Sequence, residues 1–242
     1  MYILGLTIEF VEWFQSFNNE FLDFFFNMIS FLGEEYIYIV IMGFVYWTYD
    51  KKFGEFLGMS LAFTSVINNT LKEIFDAPRP FTEYPDRVEN LRPSTSTGNS
   101  FPSGHTQLFS TFFYGAAFYL KKKWVYVLVS IFVLLMMMSR IYLGVHYLED
   151  VVVAAILGLI LGYVFFYYYD KIYDNQLLLH KIYIIILLIS LPITLLLGSE
   201  DLFKAFGIFA GMTIAVMYEK KYVNFSLDTT KLKKIIRFTL GV

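Results

Sequence analysis

Long apolar stretches alternate with short charged ones along most of this chain of 242 residues. Because a helix crosses a bilayer with roughly 20 mostly apolar residues, stretches of about this length predict transmembrane helices. We place the predicted spans within residues 24–49, 53–75, 105–120, 124–140, 151–169, 182–198 and 202–218. The pattern therefore predicts an all-α fold, a polytopic membrane helical bundle with about six to seven transmembrane helices, forming a single membrane domain over residues 1–242.

Two segments at the ends of the chain depart from this pattern. Residues 1–23 mix acidic side chains with large apolar ones, which predicts an interfacial helix, and they lack the positive leader of a removable signal peptide. Residues 219–242 are basic and then apolar, and they indicate either a cytoplasmic basic tail or a further span cut short. Glu34 and Glu35 interrupt the first predicted span. Carboxylates are costly in lipid, so we expect that helix to start near Glu34.

The composition supports a membrane protein and excludes several other classes. Hydrophobic residues make up 57% of the chain and charged residues only 17%, whereas soluble domains carry about a quarter charged residues. The mean hydropathy is +0.56. A net charge of −2 excludes a strongly basic nucleic-acid binder, so no nucleic-acid partner is expected. The chain has no cysteine, which excludes disulfides, thiolate catalysis and cysteine metal sites.

Lysines fall in alternate connections between the predicted spans. They are Lys51 and Lys52, Lys121 to Lys123, Lys171 with Lys181, and Lys220 with Lys221. Because lysine-rich loops mark the cytoplasmic side, the other connections are predicted to face away from the cytoplasm. Those are residues 76–104, 140–150 and 199–201. The first of them holds five of the six prolines, and a long loop of this kind is usually functional or disordered.

Three stretches with candidate chemistry emerge on that outer side. Lys72, Arg79 and Arg140 supply three cations, enough to neutralise a phosphate and the charge that develops on it during reaction. Residues 103–105 precede a predicted helix, so their N–H groups offer an anion site, and Gly104 permits close approach of a ligand. Each feature also has a plain structural interpretation: Lys72 as a snorkelling span end, and 102–105 as a turn that starts a helix.

His146 and Asp150 are four residues apart, so on a helix they share one face and can touch. A carboxylate that contacts an imidazole fixes its tautomer and raises its basicity, which suits a nucleophile or a base. His105 can then protonate the leaving oxygen. The plain alternative is that His146 is a loop residue and Arg140 a positive flank of a span.

The three stretches together resemble the signature of the type 2 phosphatidic acid phosphatase superfamily, which includes glucose-6-phosphatase and the vanadium haloperoxidases. The matching residues are Lys72-x6-Arg79-Pro80, then Pro102-Ser103-Gly104-His105, then Ser139-Arg140-x5-His146-x3-Asp150. As a three-part pattern the match is highly specific, although each part alone is weaker. The resemblance implies a metal-independent phosphatase with no cofactor and with a helical phosphatase core, which we place at residues 24–170.

The resemblance also assigns roles to residues of this chain. His146 would be transiently phosphorylated, Asp150 would hold its other ring nitrogen, and His105 would be the general acid. The implied phosphate-binding residues are Lys72, Arg79, Ser103, Gly104 and Arg140. His180 has no part in the signature and is interpreted as a surface residue.

The two additional C-terminal spans within 182–218 resemble those of the sphingosine-phosphate-phosphatase-like branch and its bacterial relatives. The implied function is a phosphatase of the cell membrane, with its active site facing away from the cytoplasm and a phosphorylated lipid as substrate. That lipid is of the phosphatidic acid, phosphatidylglycerophosphate or sphingoid-base phosphate type, and the alternative is a polyprenyl (undecaprenyl) diphosphate. Outside the enzyme class, the rival is a lipid-binding or transport protein that retains the fold. The spans disfavour haloperoxidase activity, and oligomeric state stays open.

Overall fold

The computed structural model describes residues 8–241, and all regular secondary structure in that part of the chain is helical. The α-helices are α1 (Ile8–Gln15), α2 (Glu20–Phe31), α3 (Glu35–Phe44), α4 (Lys51–Phe75), α5 (Pro80–Glu83), α6 (Gly104–Leu120), α7 (Lys123–Tyr142), α8 (Leu148–Ile172), α9 (Gln176–Leu197), α10 (Glu200–Tyr218) and α11 (Lys231–Gly241). Two π-helical segments, Val45–Tyr49 and Glu219–Val223, continue α3 and α10, and a 3₁₀ turn covers Pro93–Thr95.

The N-terminal segment differs from the predicted interfacial helix. Its first seven residues lie outside the described part of the chain, and the rest forms α1 and the start of α2 rather than one helix. Asn19 divides the two because its side chain accepts a hydrogen bond from the Leu22 N–H and caps α2. A second break follows at Glu34, where the backbone is extended before α3 begins.

Four described helices are long and apolar enough to cross a membrane: α7, α8, α9, and α10 with its π-helical continuation. A fifth span results if α2 and α3, which are bent by 48° at their junction, cross together. The predicted count of six to seven also included α4 and α6. The polar residues of α4 lower its hydropathy, and α6 has only 17 residues, short of the roughly 20 that a straight span takes. The larger count therefore stays a prediction.

Helices α4, α6 and α8 form the centre of the bundle. Helix α8 approaches α6 closely at two glycines, because a Cβ atom on Gly158 would lie 2.5 Å from the Gln107 carbonyl oxygen and one on Gly162 3.0 Å from that of Thr111. Thr111 donates a hydrogen bond to the Gly158 carbonyl, at 3.1 Å. Close packing of these two helices holds their N-terminal ends, which carry His105 and Asp150, in a fixed relation.

The C-terminal helices α9 and α10 pack on α4. Their contact surface belongs to the largest apolar cluster, which includes Phe56, Tyr183 and Phe209. Helix α11 lies against the end of α3, where Phe238 meets Phe44 edge to face. The predicted basic tail thus contains a short helix within the described residues.

The lysine-rich connections meet at one end of the bundle. Lys51 pairs with Glu219 at 2.5 Å, Lys52 with Asp170 at 2.9 Å, and Lys220 with Glu55 at 2.8 Å. The candidate catalytic residues lie at the opposite end, since Lys72 is in the last turn of α4 and Asp150 in the first turn of α8. The alternation of lysine-rich and other connections in the sequence therefore corresponds to two chemically different ends of the bundle.

Candidate active site

The ends of five elements bring the candidate residues together. Lys72 lies in the last turn of α4, Arg79 precedes α5, Ser103 to His105 begin α6, Arg140 lies in the last turn of α7, and His146 and Asp150 flank the start of α8. Lys72, Arg79, Gly104, His105 and His146 line one cavity of about 340 Å³. The remaining three, Ser103, Arg140 and Asp150, are fully buried.

His146 is held between a carboxylate and a guanidinium. Its Nδ1 atom lies 3.2 Å from Asp150 Oδ2, and its Nε2 atom lies 3.3 Å from Arg79 Nη1. A carboxylate accepts hydrogen bonds only, so Asp150 favours the tautomer in which Nδ1 carries the proton. The lone pair of Nε2 then points toward Arg79, and Nε2 is the nitrogen available for nucleophilic attack.

The orienting carboxylate is itself fixed by two donors. Asp150 Oδ2 accepts hydrogen bonds from the Ser100 hydroxyl at 2.5 Å and from the Tyr147 N–H at 2.9 Å. The Ser100 hydroxyl also lies 3.3 Å from His146 Nδ1. The Ser103 N–H donates to the Asp150 carbonyl at 3.1 Å, which ties the start of α6 to the start of α8.

Burial and positive charge act together on His146, which lies in the turn between α7 and α8. Loss of water around the ring, followed by the charge of Arg79, lowers the pKa of His146 well below its ordinary value near 6.5. Burial also lowers the pKa of Arg79, to about 10. At neutral pH the site therefore holds a neutral imidazole beside a charged guanidinium.

The start of α6 presents His105 and Gly104 to the cavity. The Nε2 atom of His105 is buried and has no hydrogen-bond partner among the described residues. A Cβ atom on Gly104 would lie 3.2 Å from the side-chain oxygen of Asn68, so the glycine permits a close packing that a larger residue would disturb. Asn68 also donates to Gln107 at 2.8 Å, which positions the first turn of α6.

The three predicted cations are held by neutral oxygen atoms. Lys72 donates to the Asn99 carbonyl. Arg79 donates to the carbonyls of Thr97 at 2.7 Å, Gly98 at 2.9 Å and Val145 at 3.0 Å. Arg140 donates to the Ser30 hydroxyl, while its Nε and Nη2 atoms have no partner in the described part of the chain. Within residues 8–241, none of the three forms an ion pair with a carboxylate. An anionic ligand would supply the missing charge.

Several residues near the cavity were not identified from the sequence. Ser100 lies in a run of serines and threonines with nothing to distinguish it. Arg92 pairs with Glu34 next to the catalytic cavity, and Asp201 and Lys204 of α10 line that cavity. Asp201 and Lys204 are far along the chain from the three predicted stretches, and only the fold brings α10 beside α4.

The fold and the site are those of a helical membrane protein in which two histidines, Lys72 and Arg79 line one cavity. A family model described as the PAP2 superfamily matches residues 55–174, a segment that contains all eight candidate site residues. The chain belongs to the membrane branch of the PAP2 superfamily.

Curated relatives and solved structures agree with this family. The chain is similar to a probable sphingosine-1-phosphate phosphatase of Dictyostelium discoideum, with 32% identity over 60% of this chain and 38% of that protein. It is also similar to an undecaprenyl-diphosphatase of Sulfolobus acidocaldarius, with 32% identity over 54% of this chain and 62% of that protein. In structure it resembles Aquifex aeolicus LpxE, with a TM-score of 0.60 and 28% identity over 68% of this chain and 98% of that one. The matches span less than two thirds of these two curated relatives.

Proposed function

We propose that the protein is an integral membrane phosphatase that hydrolyses a phosphomonoester of a lipid through a phosphohistidine intermediate. The observation that carries this proposal is the arrangement around His146: Asp150 at Nδ1, Arg79 at Nε2, and His105 in the same cavity. A nucleophile, the group that orients it, a cation and a candidate acid share one site. The phosphatase names of the similar proteins support the same class.

The proposed reaction has two steps. In the first, His146 Nε2 attacks phosphorus, the bond from phosphorus to the lipid oxygen breaks, and protonated His105 gives its proton to that oxygen. In the second, His105 takes a proton from water, the resulting hydroxide attacks phosphorus, and the bond to His146 breaks to release inorganic phosphate. Lys72, Arg79, Arg140 and the N–H group of Gly104 would stabilise the charge on the phosphoryl oxygens in both steps. The Ser103 N–H, which the sequence also predicts as a phosphate donor, instead donates to the Asp150 carbonyl.

This scheme requires no metal ion or other cofactor, because the cations of the chain neutralise the phosphoryl group. Phosphate release from purified protein is expected to persist in EDTA and to be inhibited by vanadate, a phosphate mimic. Quenching with alkaline detergent during turnover of a substrate that carries radioactive phosphorus is expected to trap label on the protein that is stable in base and lost in acid, as a phosphohistidine is. Loss of activity on chelation, or label absent from the quenched protein, would contradict the scheme.

We place residues 24–170 as the phosphatase core of a single membrane domain. That domain would have six to seven spans, because α4 and α6 would cross the membrane together with the four or five candidate spans. The active site would face away from the cytoplasm across the cell membrane, because the lysine-rich end of the bundle would lie inside. Labelling of a cysteine introduced at Asp86 by a membrane-impermeant reagent in intact cells tests this orientation. Protection of that cysteine in cells, with labelling after lysis, would reverse it.

A substrate panel distinguishes the remaining possibilities. Phosphate release is measured from phosphatidic acid, phosphatidylglycerophosphate, a sphingoid-base phosphate and undecaprenyl diphosphate in matched micelles. The similarity to an undecaprenyl-diphosphatase supports the diphosphate as the second candidate substrate. Binding of these lipids without hydrolysis of any of them would instead support a lipid-binding or transport protein.

A further inference from the structure

One face of α4 connects the candidate active site with the opposite end of the bundle. Gly54, Gly58, Ser65, Asn69 and Lys72 are spaced by four, seven, four and three residues. At 3.6 residues per turn, these intervals keep all five side chains within a narrow stripe. The stripe extends over 18 residues of helix, or about 27 Å, which is close to the thickness of the hydrocarbon core.

Two cavities lie along this stripe. The catalytic cavity takes in Ser65, Asn69 and Lys72, and a second cavity of about 440 Å³ takes in Gly54 and Gly58. Both are walled by the same two neighbours of α4. On α3 and its π-helical continuation the lining residues pass from Tyr36 to Ile39, Met42 and Tyr46. On α10 they pass from Ile208 to Met212, Ala215 and Val216. The two cavities are therefore successive parts of one groove between α3 and α10.

The groove narrows at Gly58, where side chains from both walls meet. A Cβ atom on Gly58 would lie 2.4 Å from Met212 Cε and 3.4 Å from Met42 Sδ. Methionine side chains are flexible and fill irregular apolar spaces, so this constriction can adapt to an apolar guest. Polarity also changes along the groove: cations surround the catalytic end, whereas the second cavity is lined mainly by apolar residues as far as Glu55 and Glu219.

We propose that this groove holds one hydrocarbon chain of the substrate, with the phosphate at the catalytic end. This proposal rests on the proposed phosphatase function. It adds that the groove selects substrates by the length and the width of their hydrocarbon chain. A groove one helix stripe wide suits a single chain, so a second chain of a diacyl lipid would remain in the bilayer. Helix α10 lies beyond residues 55–174, the segment matched by the family model. The chain preference would therefore come from a part of the protein outside the family core.

The test compares alkyl phosphates of different length in mixed micelles. In Gly58→Leu, the ratio of kcat/KM for hexadecyl phosphate to that for octyl phosphate is expected to fall about fivefold. The effect is moderate because micelle and groove are similarly apolar, so selectivity comes from packing contacts. Gly207→Leu is the matched control on α10, where an added Cβ meets nothing within 4 Å, and its ratio is expected to equal that of the wild type.

A second variant changes the groove in the opposite direction. Met212→Ala widens the constriction. The ratio of kcat/KM for phytyl phosphate, whose chain has methyl branches, to that for hexadecyl phosphate is expected to rise about threefold. Unchanged ratios in both variants, with phosphate release intact in the wild type, would overturn the groove assignment and leave the proposed function standing. A wild-type protein that releases no phosphate from any of these compounds would contradict the proposed function itself.

Discussion

The two ends of the helical bundle differ in how their positive charges are paired. At the lysine-rich end, Lys51, Lys52 and Lys220 each pair with a carboxylate. At the other end, the described contacts of Lys72, Arg79 and Arg140 are with neutral groups, which are oxygens and, for Arg79, the ring of His146. Two nitrogen atoms of Arg140 have no partner among the described residues.

We interpret the paired lysines as structural charges and the three unpaired cations as functional ones. A buried cation without a counter-charge is unfavourable in the folded protein. Lys72 and Arg79 line one cavity, where an anionic ligand would supply the missing charge, and Arg140 is fully buried without lining that cavity. The paired lysines, in contrast, complete their charge balance within the chain. The comparison therefore predicts that changes at one end alter turnover, whereas changes at the other alter stability.

The largest effect is expected for His146→Ala at the catalytic end. Removal of the nucleophile is expected to lower kcat for lipid phosphate hydrolysis by roughly a thousandfold or more, measured as phosphate release from purified protein. His180→Ala is the matched control, because His180 lies on α9 away from the catalytic cavity. Normal turnover by the His146 variant would refute the assignment of the nucleophile.

The next largest effect separates activity from stability. Arg140→Met is expected to lower kcat/KM by about a hundredfold, as for loss of one donor to a developing oxyanion. Its midpoint of thermal unfolding is expected not to fall, because a buried cation with unsatisfied donors is removed. Lower stability together with retained activity would contradict the functional interpretation of Arg140.

Lys220→Met provides the reciprocal experiment at the lysine-rich end. It leaves the buried carboxylate of Glu55 without its partner, and it is expected to destabilise the fold by about 3 kcal/mol. The readouts are the midpoint of thermal unfolding, which is expected to fall, and kcat/KM at a temperature where the variant is folded, which is expected to match the wild type. A variant that loses turnover without losing stability would break the distinction between the two ends.

Ser100→Ala tests the hydrogen bond to the orienting carboxylate. Loss of the 2.5 Å bond to Asp150 is expected to lower kcat by about tenfold with little change in KM, because a charge-assisted bond is worth about 1.5 kcal/mol or somewhat more. Ser190→Ala is the control, since the Ser190 hydroxyl bonds only within its own helix in the described structure. Equal effects of the two substitutions would assign Ser100 a merely structural role.

The smallest effect concerns pH. Burial and the charge of Arg79 lower the pKa of His146, so the neutral, nucleophilic form persists as the pH falls through 6.5. On the acid side of the pH profile, kcat/KM falls as His146 becomes protonated. After correction for ionisation of the substrate, we expect this fall to occur well below pH 6.5. Arg79→Met removes the charge and is expected to move this fall toward higher pH, because protonation of His146 becomes less unfavourable.

The sequence determined the helical class and the chemistry of the candidate site. A membrane helix can be predicted from its own apolar stretch alone, because in lipid the hydrogen bonds of its backbone are all made within that helix. The short spacing of His146 and Asp150 likewise predicted their contact, although His146 precedes α8 and the two residues do not share a helix face as predicted. The resemblance to a known signature then named the other residues.

Only the tertiary structure decided how distant parts of the chain meet. It placed Ser100 on Asp150, Arg92 beside Glu34, and α10 beside the cavity that His105 and His146 line. It also divided the N-terminal segment at Asn19 and left α4 too polar to count as a span by composition. The physical reason is that hydropathy and periodicity describe each helix by itself. Whether a polar side chain faces lipid, a partner or a substrate depends on which helices pack around it.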